Sequence, residues 1–123
     1  MTFERHFLDQ GCFMATPRFD LHKTDFVLEW QGRLVKVQVK TMSPGPGNSY
    51  VTCIGTNRKG CSSPQPYSSS EIDYFGVVNL HYGHIWMIPV EDTSDKVSLA
   101  WIPPDLRKRK KHSAFEWDQY LIK

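Results

Sequence analysis

The feature that most constrains this chain is the change of hydrophobic period at Thr24. Phe26, Leu28 and Trp30 alternate with Asp25, Val27 and Glu29. After Gln31-Gly32 the alternation resumes with Val35, Val37 and Val39 set between Lys36, Gln38 and Lys40. Two period-two runs separated by two residues specify a β-hairpin. With Gln31-Gly32 as its turn, Asp25 faces Gln38, Phe26 faces Val37 and Val27 faces Lys36. One face of the hairpin is then dry: Phe26, Leu28, Trp30, Val35, Val37 and Val39. The other gathers Asp25, Glu29, Lys36, Gln38 and Lys40.

Directly opposed residues of an antiparallel pair have Cβ atoms roughly 4.5–5.5 Å apart, and diagonal neighbours about 7–8 Å apart. Asp25, Gln38 and Lys40 therefore converge on one small volume. Hydrolysis of a phosphodiester needs charge neutralisation on the non-bridging oxygens and an activated water. A hydrated Mg²⁺ held by carboxylate and amide oxygens beside a lysine supplies both. A polar hairpin face turned to water is also the ordinary state of an antiparallel sheet, so the spacing by itself does not choose between the two readings.

The rest of the chain supplies a scaffold. Phe3, Phe7 and Leu8 stand at helical spacing and Gly11 follows as a stop, which predicts a short helix over residues 3–10, then a strand or turn over 12–15. The breaker-rich stretch 43–48 predicts a loop and Tyr50 to Ile54 a strand. Residues 55–70, rich in Gly, Ser and Pro, predict a long second loop. Tyr74 to Asn79 and His84 to Ile88 are apolar enough for the middle of a sheet, joined through His81-Tyr82-Gly83, and Lys96 to Ile102 adds an edge strand. Ser113-Ala114-Phe115-Glu116 has the form of a capping box that opens a final helix carrying Phe115, Trp117, Tyr120 and Leu121.

At 123 residues, 40% of them hydrophobic, the chain has material for one compact domain over 1–123, with a core over 1–102 and a basic segment and C-terminal helix over 103–123. No apolar run is long enough to span a bilayer, and the start has no signal-peptide pattern. Cys12, Cys53 and Cys61 are odd in number and lack CxxC spacing, which argues for a reducing, cytoplasmic setting without disulfides. The net charge is +2, yet Arg107, Lys108, Arg109, Lys110 and Lys111 alone carry +5, so the remainder is at −3. That local concentration suits phosphate contact, as do Arg58 and Lys59 in the long loop. A solvated basic surface is the plainer alternative for the run.

The ordered series Thr24-Asp25-Phe26-Val27-Leu28-Glu29-Trp30, Gly32, Val37-Gln38-Val39-Lys40-Thr41, Tyr67, Ile72-Asp73-Tyr74-Phe75-Gly76-Val77-Val78 and Ile85-Trp86-Met87-Ile88-Pro89 resembles the PD-(D/E)XK nuclease superfamily. More narrowly, it is similar to the small bacterial and phage branch that includes a group I intron homing endonuclease and writes the E-x-K element as Q-x-K. The likeness runs over about residues 3 to 102. It implies a mixed α/β fold with a central mixed β-sheet flanked by helices, and double-stranded DNA as substrate. It also implies a divalent metal, Mg²⁺ with Mn²⁺ as a substitute, and products carrying a 5′-phosphate and a 3′-hydroxyl.

By position, the resemblance makes Asp25 the metal-binding aspartate, Gln38 the replacement for the usual acid and Lys40 the catalytic lysine. Glu4 stands for the glutamate of the family's first helix, although Gly11 leaves two turns after it where the family has three. Since an amide brings no negative charge, Gln38 makes a second carboxylate important, and Glu4 or Glu29 is expected to supply it. One such site cuts one strand, so double-strand cleavage calls for a homodimer or homotetramer, with the aromatic C-terminal helix available for subunit contacts. Two other readings stay open: a weak or inactive nuclease-fold module that binds DNA or protein, and a Holliday junction resolvase.

Other residues read more plainly. His81 and His84 fit a turn better than a zinc site, and Cys61 a passive thiol better than a nucleophile. Asp73 fits a turn or cap better than a further ligand, and Trp86, Trp101, Trp117 and Tyr120 fit packing better than base stacking.

Overall fold

The computed structural model describes residues 2–16, 24–93, 96–108 and 113–123. Helix α1 (Thr2–Asp9) places Phe3 and Phe7 one turn apart on the same face, and both rings are fully buried. The helix closes at Gly11, which has φ +75°, with Cys12 N–H donating to Phe7 O at 3.1 Å.

Strands β1 (Met14–Ala15), β2 (Phe26–Trp30) and β3 (Arg33–Thr41) follow, then β4 (Ser43–Pro44), β5 (Tyr50–Cys53), β6 (Gly55–Thr56) and β7 (Gln65–Pro66). The chain continues through β8 (Tyr74–Asn79), β9 (His84–Pro89) and β10 (Ser98–Trp101), with short 3-10 segments at Val90–Thr93, Pro104–Leu106 and Ser113–Tyr120. The central sheet has the order β1-β2-β3-β8-β9, with β3 parallel to β8 and the other pairs antiparallel. No helix among the described residues is long and apolar enough to cross a membrane.

The β2–β3 hairpin has the expected register, Phe26 with Val37 through Trp30 with Arg33. Its turn residues Gln31 (φ 52°) and Gly32 (φ 82°) are both left-handed, which matches the twist of a two-residue hairpin. Gln31 accepts this uncommon conformation, and Gly32 adopts it without the steric cost a Cβ imposes.

Two hydrophobic layers sandwich the sheet. On one face Phe3 and Phe7 pack with Phe26, Leu28, Val35, Val37, Val78, Ile85 and Met87, the dry side predicted for the hairpin. On the other, Phe75, Val77, Trp86 and Ile88 meet Ile54, Ile72, Leu99, Trp101 and Trp117.

Several elements differ from expectation. β10 is an edge strand, as expected, but of a second sheet of order β10-β5-β4, where its Leu99 and Trp101 join the second core. The stretch 55–70 is not wholly irregular, since β6 and β7 form a ribbon inside it. The final helix over Ser113–Tyr120 winds as 3-10 rather than α. Its end is pinned where Asp118 accepts from Trp101 Nε1 at 3.0 Å and from Arg107, and where Ile122 N–H donates to Ile85 O at 2.9 Å. The Ser113 side chain of the expected capping box lies outside the described set.

Gly76 on β8 allows α1 to sit close to the sheet: a Cβ there lies 2.4 Å from Phe3 Cε2 and 2.8 Å from Cζ. Gly76→Ala is expected to lower unfolding stability by about 1–3 kcal/mol through overpacking. Chemical denaturation measures this, and Phe3→Leu in the same chain should recover part of the loss. An unchanged midpoint in the single variant refutes this account of the α1 contact.

Candidate active site on the central strand

The site is built on β3, and its geometry comes from how the two edges of that strand are bonded. Strand β2 begins at Phe26, so Asp25 stands just before it. Asp25 N–H donates to Val37 O at 2.9 Å, one residue off the ladder, so no backbone carbonyl of β2 meets the next N–H of β3. The Asp25 carboxylate takes that place, its Oδ2 accepting the Val39 N–H at 2.8 Å. One N–H uses a fraction of a carboxylate's acceptor capacity, so Asp25 is held in place and still able to bind a cation. The residue is exposed.

On the other edge of β3, Asp73 acts in the same way. Its Oδ2 accepts the Lys36 N–H at 2.8 Å, its own N–H donates to Lys36 O at 2.9 Å, and its carbonyl accepts from Val90 N–H at 3.0 Å. Asp73 is therefore the joint of β3, β8 and β9, in line with the capping reading rather than a ligand role.

In the parallel ladder Gln38 pairs with Phe75 and Lys40 with Val77, and neighbouring side chains in register share a face. Phe75 and Val77 belong to the core opposite α1, so Gln38 and Lys40 rise on that side, beside Asp25 across the hairpin. Both are half-buried, and Lys40 Nζ lies 5.8 Å above the centroid of the Tyr67 ring. The three residues are thus brought together on the expected face, with a cover over it that the hairpin pattern alone did not reveal.

Of the two acids expected as second carboxylate, Glu29 is not gathered in. Glu29 sits four residues along the strand from Asp25, about 13 Å away at ~3.3 Å per residue, and its Oε1 is 3.5 Å from Phe13 N. Glu4 stands half-buried in the first turn of α1, the helix whose Phe3 and Phe7 pack on the layer that holds Phe26 and Val37. Among the described residues no group of three or more His, Cys, Asp or Glu side chains comes together to hold a metal ion.

Two basic residues expected to meet phosphate are engaged within the chain. Arg58 pairs with Glu71 through both guanidinium nitrogens and donates to Pro66 O at 2.9 Å. Arg107 pairs with Asp118 at 2.6 and 2.9 Å. Lys59 and Lys108 are exposed, while Arg109, Lys110 and Lys111 lie outside the described residues.

Sequence reasoning passed over Glu71, which organises the loop over the site. Its Oε1 accepts Ser68 N–H at 3.0 Å as well as Arg58, and its carbonyl accepts the Thr24 hydroxyl at 3.5 Å. The available signal was a glutamate just after Ser68-Ser69-Ser70 in a loop that also carries an arginine. His81 and Tyr82 belong to an aromatic cluster with Tyr50, and His84 Nδ1 lies 2.9 Å from Lys123 O, at the far end of β8 and β9.

The Arg58 hydrogen bond chiefly, with help from Ser68, lowers the Glu71 carboxyl from 4.5 to about 2 against an opposing effect of burial. A depressed carboxyl contributes stability that is full above about pH 4.5 and is lost as pH falls toward 2. The stability advantage of the wild type over Glu71→Gln should therefore shrink across that window in denaturant unfolding followed from pH 7 to pH 2. A difference that stays constant through the window refutes the ion pair as its source.

A bacterial homing endonuclease, I-Ssp6803I, is similar in fold, with a TM-score of 0.75 at 24% identity over 94% of this chain and 80% of that one. MepB is similar at a TM-score of 0.55 and 12% identity, over 89% of this chain and 84% of that one. No curated protein matches the chain by sequence. The family model described as PD-(D/E)XK endonuclease matches residues 4–120, reaching beyond the stretch that carried the resemblance and into the C-terminal segment. This chain belongs to the PD-(D/E)XK endonuclease family.

Proposed function

We propose that the chain is a metal-dependent endonuclease that hydrolyses phosphodiester bonds of double-stranded DNA. The observation that carries this reading is the meeting of Asp25, Gln38 and Lys40 on one face of β3, with the Asp25 carboxylate pinned by Val39 N–H. Asp25 and Gln38 offer a carboxylate and an amide oxygen. These are hard donors of the kind that suit Mg²⁺, which keeps several waters and takes one or two carboxylates plus substrate phosphate, and Mn²⁺ accepts the same set. When bound, such an ion supplies charge neutralisation and an acidified water. Asp25 and Gln38 would hold it, and the Lys40 ammonium would donate to a non-bridging phosphate oxygen or orient the attacking water. Glu4 is proposed as the further carboxylate, reaching from α1.

A homing endonuclease is the narrower role we favour, and the fold shared with I-Ssp6803I supports it. A junction resolvase would use the same three residues. Cleavage of both strands needs two sites, hence a homodimer or homotetramer. Its contacts would not come from Trp117, which is buried in the chain's own core; Leu8 and Phe13 are exposed apolar residues at another surface. The free thiols Cys12, Cys53 and Cys61 suit a cytoplasmic setting.

On supercoiled plasmid with Mg²⁺ or Mn²⁺, the wild type is expected to nick and linearise DNA. Asp25→Ala and Lys40→Ala should each lose about 10²–10³-fold in rate. Gln38→Glu, by restoring a negative ligand, should lower the Mg²⁺ concentration needed for half-maximal cutting, and Glu4→Ala should raise it. DNA binding without cutting under any metal condition would support instead a binding module, a reading favoured by the amide at Gln38 and by the short first helix, Thr2–Asp9. Light scattering at micromolar protein tests the oligomer, and a monomer counts against it.

A further inference from the structure

The cover over the site contains one ring placed against the candidate catalytic lysine. Tyr67 lies between Pro66 and Ser68, and both neighbours are held by the same ion pair. Pro66 O accepts from Arg58 at 2.9 Å, and Ser68 N–H donates to Glu71 Oε1 at 3.0 Å. Arg58 and Glu71 bond each other through two contacts, so the backbone on either side of Tyr67 is braced. The ring is half-buried and packs edge-on against Phe75, with centroids 5.4 Å apart and planes at 84°. Phe75 is in turn the register partner of Gln38. Lys40 Nζ lies over that ring, 5.8 Å from the centroid.

A lysine has a flexible four-carbon stem with many rotamers, so β3 by itself leaves its ammonium poorly placed. An aromatic face within about 6 Å attracts the cation and narrows its range. We infer that Tyr67 is a positioning residue for Lys40: its ring seats the ammonium beside Gln38 and Asp25, and the Arg58–Glu71 pair braces the ring. Burial, and then the Glu71 and Asp25 carboxylates, push the Tyr67 hydroxyl above its ordinary range, while a hydrogen bond with Thr56 pulls the other way. A phenol is uncharged at neutral pH even at its ordinary pKa of about 10, so the ring presents no competing negative charge to Lys40. The inference rests on the reading of Lys40 as the catalytic lysine, and its first test does not need activity.

In NMR spectra of the free protein, ring current should place the Lys40 side-chain methylene protons upfield of those of exposed lysines. Tyr67→Phe should keep that shift and Tyr67→Leu should abolish it, with Tyr67→Met, flexible and of similar bulk, as the substitute if the leucine variant does not fold. In single-turnover cleavage, Tyr67→Leu or Tyr67→Met should slow the chemical step about 2–30-fold, the worth of one cation–π contact, with DNA affinity little changed. Tyr67→Phe should restore most of the rate. Lys40 protons at ordinary positions in the wild type, or unmoved on loss of the ring, overturn the inference. So does a Tyr67→Phe variant as slow as Tyr67→Leu. If the proton shifts behave as expected while the wild type cuts no DNA, the positioning stands and the endonuclease reading falls.

Discussion

The register of β3 is the constraint on which the rest of this structure depends, and two aspartates set it. The strand is central in a mixed sheet and needs partners on both edges. Where the neighbouring backbones run out, Asp73 accepts the Lys36 N–H and Asp25 accepts the Val39 N–H. A backbone N–H left unpaired away from water costs about 1–3 kcal/mol, a penalty that the Asp73 carboxylate removes at the partly buried Lys36 N–H, while the exposed Asp25 bond fixes the position of Val39 against water. A slip by one residue would turn Gln38 and Lys40 toward Phe3, Phe26 and Leu28 and put an ammonium in an apolar layer. The hydrophobic sandwich and the two hydrogen bonds therefore enforce the same alignment.

Asp25 consequently has a double part. Its carboxylate completes the sheet and stands at the edge of the candidate metal position, so the group that fixes the strand end is itself fixed for binding. Preorganisation of this kind removes motion that a ligand would otherwise have to freeze. Around it the site is unsymmetrical. One carboxylate and one amide lie close, Lys40 lies under the Tyr67 ring, and Glu29 stands four residues along the strand. Cation affinity in such a site leans on phosphate oxygens of the substrate, as is usual for Mg²⁺.

The loop over the site has an electrostatic logic of its own. Arg58 looks from its sequence position like a phosphate-binding residue, but its guanidinium fork is matched to Glu71 and a backbone carbonyl, the bidentate arrangement that favours arginine over lysine. Arg107 is matched to Asp118 in the same manner, at the join between the C-terminal segment and Trp101. The positive charge concentrated in the sequence is thus partly answered by carboxylates the linear reading could not pair with it.

The hairpin, its turn, its dry face and the sharing of a face by Asp25, Gln38 and Lys40 were legible in the sequence, because period-two alternation and a two-residue turn are local properties of the chain. The same holds for α1 and for β8 and β9, whose apolar runs announce buried strands. Residues far apart in sequence were not legible in this way: the pairing of β10 with β5, the union of Arg58 with Glu71 and the Tyr67 ring over Lys40. Each depends on where the loops return in space. The sequence by itself determined which side chains share a strand face, since alternation follows from backbone geometry. Only the tertiary structure decided what covers that face and which charges meet across it, since those contacts come from packing two layers against one sheet.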